Sequence, residues 1–217
     1  MNPSSALTPT AGRDLSAAFA TFQRLTVRQR KRWWEILVSF EMKNQYDVFD
    51  QTQQPVLHVR EEGSGFLSLL KRLFLGPARP FSASVTDPGK AQVWLRLDRP
   101  FRFIFHRLEV RGPDGRLLGA IQKKWSWVRR IYHVEDAQGL VVAELFGPIL
   151  KPWTFEVRVR GEIRGAIRKR WSGWGKELFT DADNFGVELA NLAPELKVLA
   201  FAATVLVDVV HFERAKG

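Results

Sequence analysis

Between Phe155 and Arg160 every second side chain is apolar and the ones between are charged: Phe-Glu-Val-Arg-Val-Arg. That period of two belongs to a strand with one buried face and one wet face. Phe81-Ser82-Ala83-Ser84-Val85-Thr86 and Val93-Trp94-Leu95-Arg96-Leu97 repeat it. Turn-forming groups separate such runs, at Asp87-Pro88-Gly89, Gly112-Pro113-Asp114-Gly115, Asp136-Ala137-Gln138-Gly139 and Arg160-Gly161. Many short alternating strands with regular turns predict a sandwich or barrel, with about ten to twelve strands between Tyr46 and Phe179.

Three segments leave this period. Residues 14–24 predict a short helix with Leu15, Ala18, Phe19 and Phe22 on one face, and the basic stretch Arg28–Met42 is expected to be helical as well. Phe66, Leu69, Leu70, Leu73 and Phe74 recur at helical spacing beside Lys71 and Arg72. They suit either a helix closing one barrel end or an amphipathic segment lying in a membrane interface. The chain thus divides into an N-terminal arm, 1–13, expected to be disordered, a helical segment, 14–43, and a barrel domain, 44–217.

The C-terminal run is apolar all round from Val198 to Val207, followed by Asp208 and then Val209-Val210-His211-Phe212. A helix without a polar face is buried in protein or in lipid. Its uncharged part spans about 15 Å, and Val198–Phe212 about 22 Å, against a bilayer core of about 30 Å. The expectation is a central helix, about 195–213, filling the lumen of its own barrel. A single-pass anchor through the same helix is the alternative.

The strands carry an internal duplication. Gly119-Ala-Ile-Gln-Lys-Lys-Trp-Ser126 returns 46 residues later as Gly165-Ala-Ile-Arg-Lys-Arg-Trp-Ser172, identical at six of eight positions. Tyr46-Asp-Val-Phe-Asp50 pairs more weakly with Tyr132-His-Val-Glu-Asp136, and Gly76-Pro77 with Gly147-Pro148. A single duplication points to one pseudo-symmetric body.

Composition narrows the chemistry. The absence of cysteine removes disulfides, thiolate metal sites, a thiol nucleophile and S-palmitoylation. A net charge of +10 and eight tryptophans suit a polyanionic partner, either anionic lipid or nucleic acid. A merely solvated basic surface is the plainer alternative. No basic segment followed by an apolar one marks a signal peptide, so cytosolic synthesis is expected. No Ser-His-Asp set, phosphate loop or dinucleotide motif occurs, and the four histidines have no metal spacing, so enzyme chemistry is not expected.

A set of ordered motifs identifies a family. Phe40-Glu41-x-x-Asn44-x-Tyr46-x-Val48, Gly76-Pro77-x-Arg79-Pro80-Phe81 and Leu97-x-Arg99-Pro100-Phe101 come first. Pro113-x-Gly115-x-x-x-Gly119, Gln122-x-x-Trp125, Gly147-Pro148 and Gly165-x-Ile167-x-Lys169-x-Trp171-Ser172-Gly173 follow. Lys176-Glu177-x-Phe179-Thr-Asp-Ala-Asp-Asn-Phe-Gly186 and Val207-Asp208-x-x-x-Phe212-Glu213 complete the series. With these the chain resembles the phospholipid scramblases of the tubby-like superfamily. The resemblance implies a closed antiparallel barrel of twelve strands around a hydrophobic C-terminal helix. It implies ATP-independent, bidirectional phospholipid movement across a bilayer, from a peripheral position at the inner face of the plasma membrane. Where eukaryotic members carry cysteine clusters, this chain has Phe101–His106 and Ile149–Trp153. A compact, cysteine-free form of this kind is expected of a bacterial member.

The candidate sites follow. Lys123, Lys124, Arg129, Arg130, Arg168, Lys169 and Arg170 form a candidate basic face for an anionic phospholipid surface. Phe66, Leu69, Leu70, Leu73, Phe74, Phe103 and Phe105 are candidate membrane contacts. Asp181 and Asp183 occupy the segment that the resemblance assigns to Ca²⁺, with Gly186 at the sixth place of an EF-hand-like loop. The place of the bidentate acid holds Leu192, and the same two aspartates equally suit turn amides before the final helix. An anionic-lipid-binding module without scrambling is the second functional reading, and a DNA-binding regulator, for which no recognition motif exists, is the third.

Overall fold

The computed structural model describes residues 12–30, 45–62, 80–89, 92–100, 105–170 and 184–212. Twelve antiparallel strands close into one barrel in which each pairs with its neighbours in sequence, and the first with the last. They are β1 (Arg24–Gln29), β2 (Gln45–Phe49), β3 (Pro55–Glu62), β4 (Phe81–Thr86), β5 (Val93–Arg99) and β6 (Arg107–Arg111), then β7 (Leu117–Lys123), β8 (Arg130–Asp136), β9 (Val141–Gly147), β10 (Thr154–Val159), β11 (Glu162–Arg170) and β12 (Asn184–Glu188). Closure removes every open sheet edge.

Two helices are found among the described residues: α1 (Gly12–Ala20) and α2 (Pro194–Val207), the latter continuing as a π-helical turn over Asp208–Phe212. Every side chain of α2 from Leu196 to Val207 is buried. The expected rod therefore lies inside the strands, with inward-facing Leu25, Val48, Val85, Leu97, Val110, Val134, Leu145 and Val187 around it in one core. No helix among the described residues is long and apolar enough to cross a membrane.

The segment expected to be helical from Arg28 differs at its start. Arg24–Gln29 is β1, with Leu25 and Val27 buried between exposed or half-exposed neighbours. Its place between β12 and β2 closes the barrel, and that pairing overrides the basic, helix-compatible composition that follows it. Of the expected strands, β2 to β11 lie in the predicted interval, while β1 and β12 lie outside it. The barrel thus starts before residue 44. Residues 31–44, the rest of that expected helix, lie outside the described residues.

The two copies of the repeat are β7 and β11, and their glycines have the same task. A Cβ on Gly119 would meet the Leu199 methyls of α2 at 2.9 Å and the Glu135 carbonyl closer still. One on Gly165 would stand 2.6 Å from the Glu188 carbonyl and 3.2 Å from Leu192. Glycine lets each strand approach its neighbour and the filling of the lumen at these points.

The barrel has two unlike ends. At one, five hairpins join β2–β3, β4–β5, β6–β7, β8–β9 and β10–β11 through two to six residues. Four of these tight turns hold an aspartate that accepts backbone N–H groups: Asp50 from Thr52 and Gln54, Asp87 from Gln92, Asp114 from Arg116, Asp136 from Gln138 and Leu140. α1 also sits at this end, where Phe19 packs 5.9 Å from Phe201. Lys197 donates to the Ala20 and Phe22 carbonyls, each at 2.8 Å, and burial draws its pKa below the usual value. The other end, the rim, receives the last turn of the rod, and its connections, including 124–129 and 148–153, are six residues or longer.

Candidate functional site

β7, the repeat's first copy, delivers Lys123 and Lys124 to the rim, and β11, its second copy, delivers Lys169 and Arg170. The period of two keeps Ile121 and Ile167 in the core and carries both strands to the same barrel end. Between them lie the β7–β8 and β9–β10 connections. Lys123–Arg130 and Gly147–Trp153 contain no acidic residue.

Local bonds fix these two loops. The Lys123 N–H donates to the His106 carbonyl at 2.7 Å and the Lys124 N–H to Ile131 at 2.9 Å. Ser126 Oγ accepts the Arg129 N–H at 3.1 Å. In the second loop the Lys151 N–H reaches the Pro148 carbonyl, and the Lys169 N–H donates to the Trp153 carbonyl at 2.9 Å. Arg130 joins the loops. Its Nη1 and Nη2 donate to the carbonyls of Pro152 and Lys151 at 2.5 and 3.5 Å, and its guanidinium lies 4.6 Å over the Phe155 ring. Arg130 is thus a strut of the rim.

The remaining cations divide by place. Arg129 stands 5.4 Å from the Phe146 ring, and Lys169 Nζ stands 5.7 and 5.8 Å from the rings of Trp153 and Phe185. Among the described residues Lys124, Arg129 and Lys151 have no carboxylate within salt-bridge distance. Arg168, expected on the same basic face, lies instead on the outer wall in an ion pair with Glu188 of the neighbouring strand. Arg158–Glu156, Arg164–Glu162 and Arg107–Glu135 neutralise that wall in the same way. Lys124, Arg129 and Lys151 are thus grouped on two adjacent rim loops that hold no acid, while Arg24, Arg60, Arg96, Arg116 and Arg160, which also lack an ion pair among the described residues, are scattered over the wall and the other end.

Apolar side chains stand among those cations. Leu150 is 94% exposed, Trp127 86% and Trp125 61%, with Val128, Ile149, Trp153 and Phe105 also open to solvent. The Trp125 and Trp127 rings pack edge to face at 5.3 Å. Phe105 was the one candidate membrane contact among the described residues. Phe66, Leu69, Leu70, Leu73, Phe74 and Phe103 lie outside them, between strands that end or begin at this rim. The exposed tryptophans are not among the contacts named from sequence, where the eight tryptophans entered only as a composition that suits a polyanionic partner. Their signal was positional: they follow the lysines, past the last inward residue of β7.

Asp181 and Asp183 lie outside the described residues, just before β12. Gly186, the expected hinge of an EF-hand-like loop, lies within β12 paired with Thr26 and Arg168, so that turn is not formed there. Among the described residues no group of three or more metal-ligating side chains is assembled.

These features define a class: a rod-filled antiparallel barrel with a basic, aromatic rim at one end and aspartate-capped tight turns at the other. A family model described as Scramblase matches residues 4–214, and the chain belongs to that family. It is 27% identical to phospholipid scramblase 2 of Bos taurus over 89% of this chain and 70% of that protein. It is 28% identical to phospholipid scramblase 1 of Mus musculus over 90% of this chain and 62% of that one. A phospholipid scramblase family protein of Schizosaccharomyces pombe is 30% identical over 74% of this chain and 44% of its own length. No solved structure matches.

Proposed function

We propose that this protein docks peripherally on anionic phospholipid membranes through its rim. There it mediates or modulates ATP-independent, bidirectional movement of phospholipid between leaflets. One observation carries the reading: among the described residues Lys124, Arg129 and Lys151 stand without carboxylate partners beside exposed tryptophans, at a single end of the barrel. Each Lys or Arg brought near an anionic surface adds about 1 kcal/mol of attraction, screened by salt. Lys123 and Lys169 lie at the rim ends of the two repeat strands beside them, and Arg170 is the last residue of the second. The family supports a lipid substrate, and the inner face of the plasma membrane is the proposed site of action.

A second reading rests on the lumen. The rod is buried along its length, so a headgroup has no path through the barrel. A module that binds anionic lipid without moving it fits that packing. Movement, where it occurs, proceeds outside the barrel by disturbance of the bilayer at the rim.

Flotation with phosphatidylserine-containing and with neutral vesicles tests the docking, and loss of NBD-lipid fluorescence to dithionite tests the movement. Binding to anionic vesicles with accelerated dithionite loss supports the first reading. Binding without it supports the second, and no binding refutes both. Asp181 and Asp183 remain the proposed Ca²⁺ ligands. Calorimetry with Ca²⁺ on the wild type and on Asp181→Asn/Asp183→Asn tests them, an unchanged titration refuting the assignment.

A further inference from the structure

We propose that the β7–β8 and β9–β10 loops form a wedge that inserts below the headgroups, so that the barrel stands end-on with its rod pointing at the bilayer. This rests on the anionic-membrane reading above and adds a depth and an orientation to it.

The two loops are adjacent, since Arg130 opens β8 and holds the carbonyls of Lys151 and Pro152 in the other loop. Trp125, Trp127, Val128, Ile149 and Leu150 are therefore held on one braced surface. Tryptophan prefers the boundary between headgroups and chains, where an apolar ring and a polar N–H both find partners. Lys124, Arg129 and Lys151 lie beside these side chains, as phosphate contacts at the same depth require.

The opposite end is the competitor. It has its own exposed apolar residues in Leu140, Val141 and Ile163. Its turns, however, set Asp50, Asp87, Asp114 and Asp136 beside Arg116 and Arg160, so acids and cations are mixed there. The rim loops Lys123–Arg130 and Gly147–Trp153 carry cations and no acid, and charge therefore favours the tryptophan rim. Because α2 starts at the tight-turn end and finishes at the rim, the pose directs Asp208–Phe212 towards lipid.

The chain has no cysteine, so single labels are introduced without removing any native one. Leu150→Cys and Leu140→Cys, each carrying NBD, are mixed with phosphatidylserine/phosphatidylcholine vesicles containing doxyl-labelled lipid. The expected result is a blue shift and strong quenching at position 150 with no change at 140. Trp127→Ser/Leu150→Ser is expected to weaken vesicle binding by about tenfold or more, and to leave the residual binding more salt-sensitive. Circular dichroism and thermal unfolding like wild type show that the exposed substitutions leave the fold intact. Bound protein with both labels in water overturns the wedge while leaving anionic docking intact. Quenching at 140 overturns the orientation, and failure to bind anionic vesicles at all overturns docking and wedge together.

Discussion

The phenol of Tyr46 donates a 2.6 Å hydrogen bond to the carboxylate of Asp208 across the lumen, and both residues are 1% exposed. The bond ties β2 to the rod at the point where its α-helix becomes a π-helical turn. A charge in an apolar helix is expensive unless it is held by hydrogen bonds. Tyr46→Phe keeps the ring and removes this donor. It is expected to lower the unfolding free energy by about 1–3 kcal/mol, measured by urea denaturation, with lipid binding retained.

Gly119→Ala tests the other contact between wall and rod. The new methyl collides with the Leu199 side chain and a strand carbonyl, so overpacking of about 1–3 kcal/mol or more is expected. Gly165→Ala meets the Glu188 carbonyl and is expected to destabilise as well. Gly115→Ala serves as a comparison: nothing crowds that position, and its cost comes from a backbone φ of +82°. Trimming Leu199 to Ala in the Gly119→Ala background is expected to recover part of the loss only at position 119.

These glycines also show how far the sequence could be read. Alternation located β4, β5 and β10, and the repeat announced that β7 and β11 occupy matched places. The helix of uniformly apolar residues, too short for a bilayer, pointed to the lumen. β1 was hidden because Leu25 and Val27 give only two inward positions before a long basic run, and its strand state comes from pairing with β12 and β2. The pairing of Arg168 with Glu188 joins residues 20 apart in sequence through strand register, which no local pattern encodes. Trp127 and Leu150 were not among the candidate membrane contacts because hydrophobicity alone does not say which side of a rim a side chain faces.

Asp47 gives a prediction in pH. Partial burial raises its pKa, but hydrogen bonds and charge from Arg30 and His58 outweigh that and hold it below the usual carboxylate value. The His58 Nδ1 to Asp47 distance is 2.9 Å. A folded pKa below the unfolded one means that the unfolded chain binds more protons in that range. The stabilisation is present above the unfolded value of about 3.9 and is lost as pH falls through the folded value. Thermal melts between pH 6 and pH 2 are expected to show a shallower acid loss for Asp47→Asn than for wild type. The Asn variant is expected to be the less stable of the two at pH 6.

Rim and wall arginines separate in salt. Arg129→Gln removes a cation that has no carboxylate partner among the described residues, and anionic-vesicle binding is expected to fall about fivefold at low ionic strength. Arg168→Gln removes one already paired with Glu188, and surface pairs of that kind contribute at most about 1 kcal/mol to stability. Its vesicle binding is expected to stay within about twofold of wild type. Equal losses for the two variants, measured by co-sedimentation at several salt concentrations, would place the lipid surface on the wall.

Hydrogen exchange by mass spectrometry, on the full chain free and bound to phosphatidylserine-containing vesicles, tests the central claim most directly. The account predicts that amides of 124–129 and 148–153 gain protection on binding. Those of 198–207 should exchange slowly and identically in both states. Fast exchange of 198–207 in the free protein, or a change there on binding without one at the two loops, would contradict it.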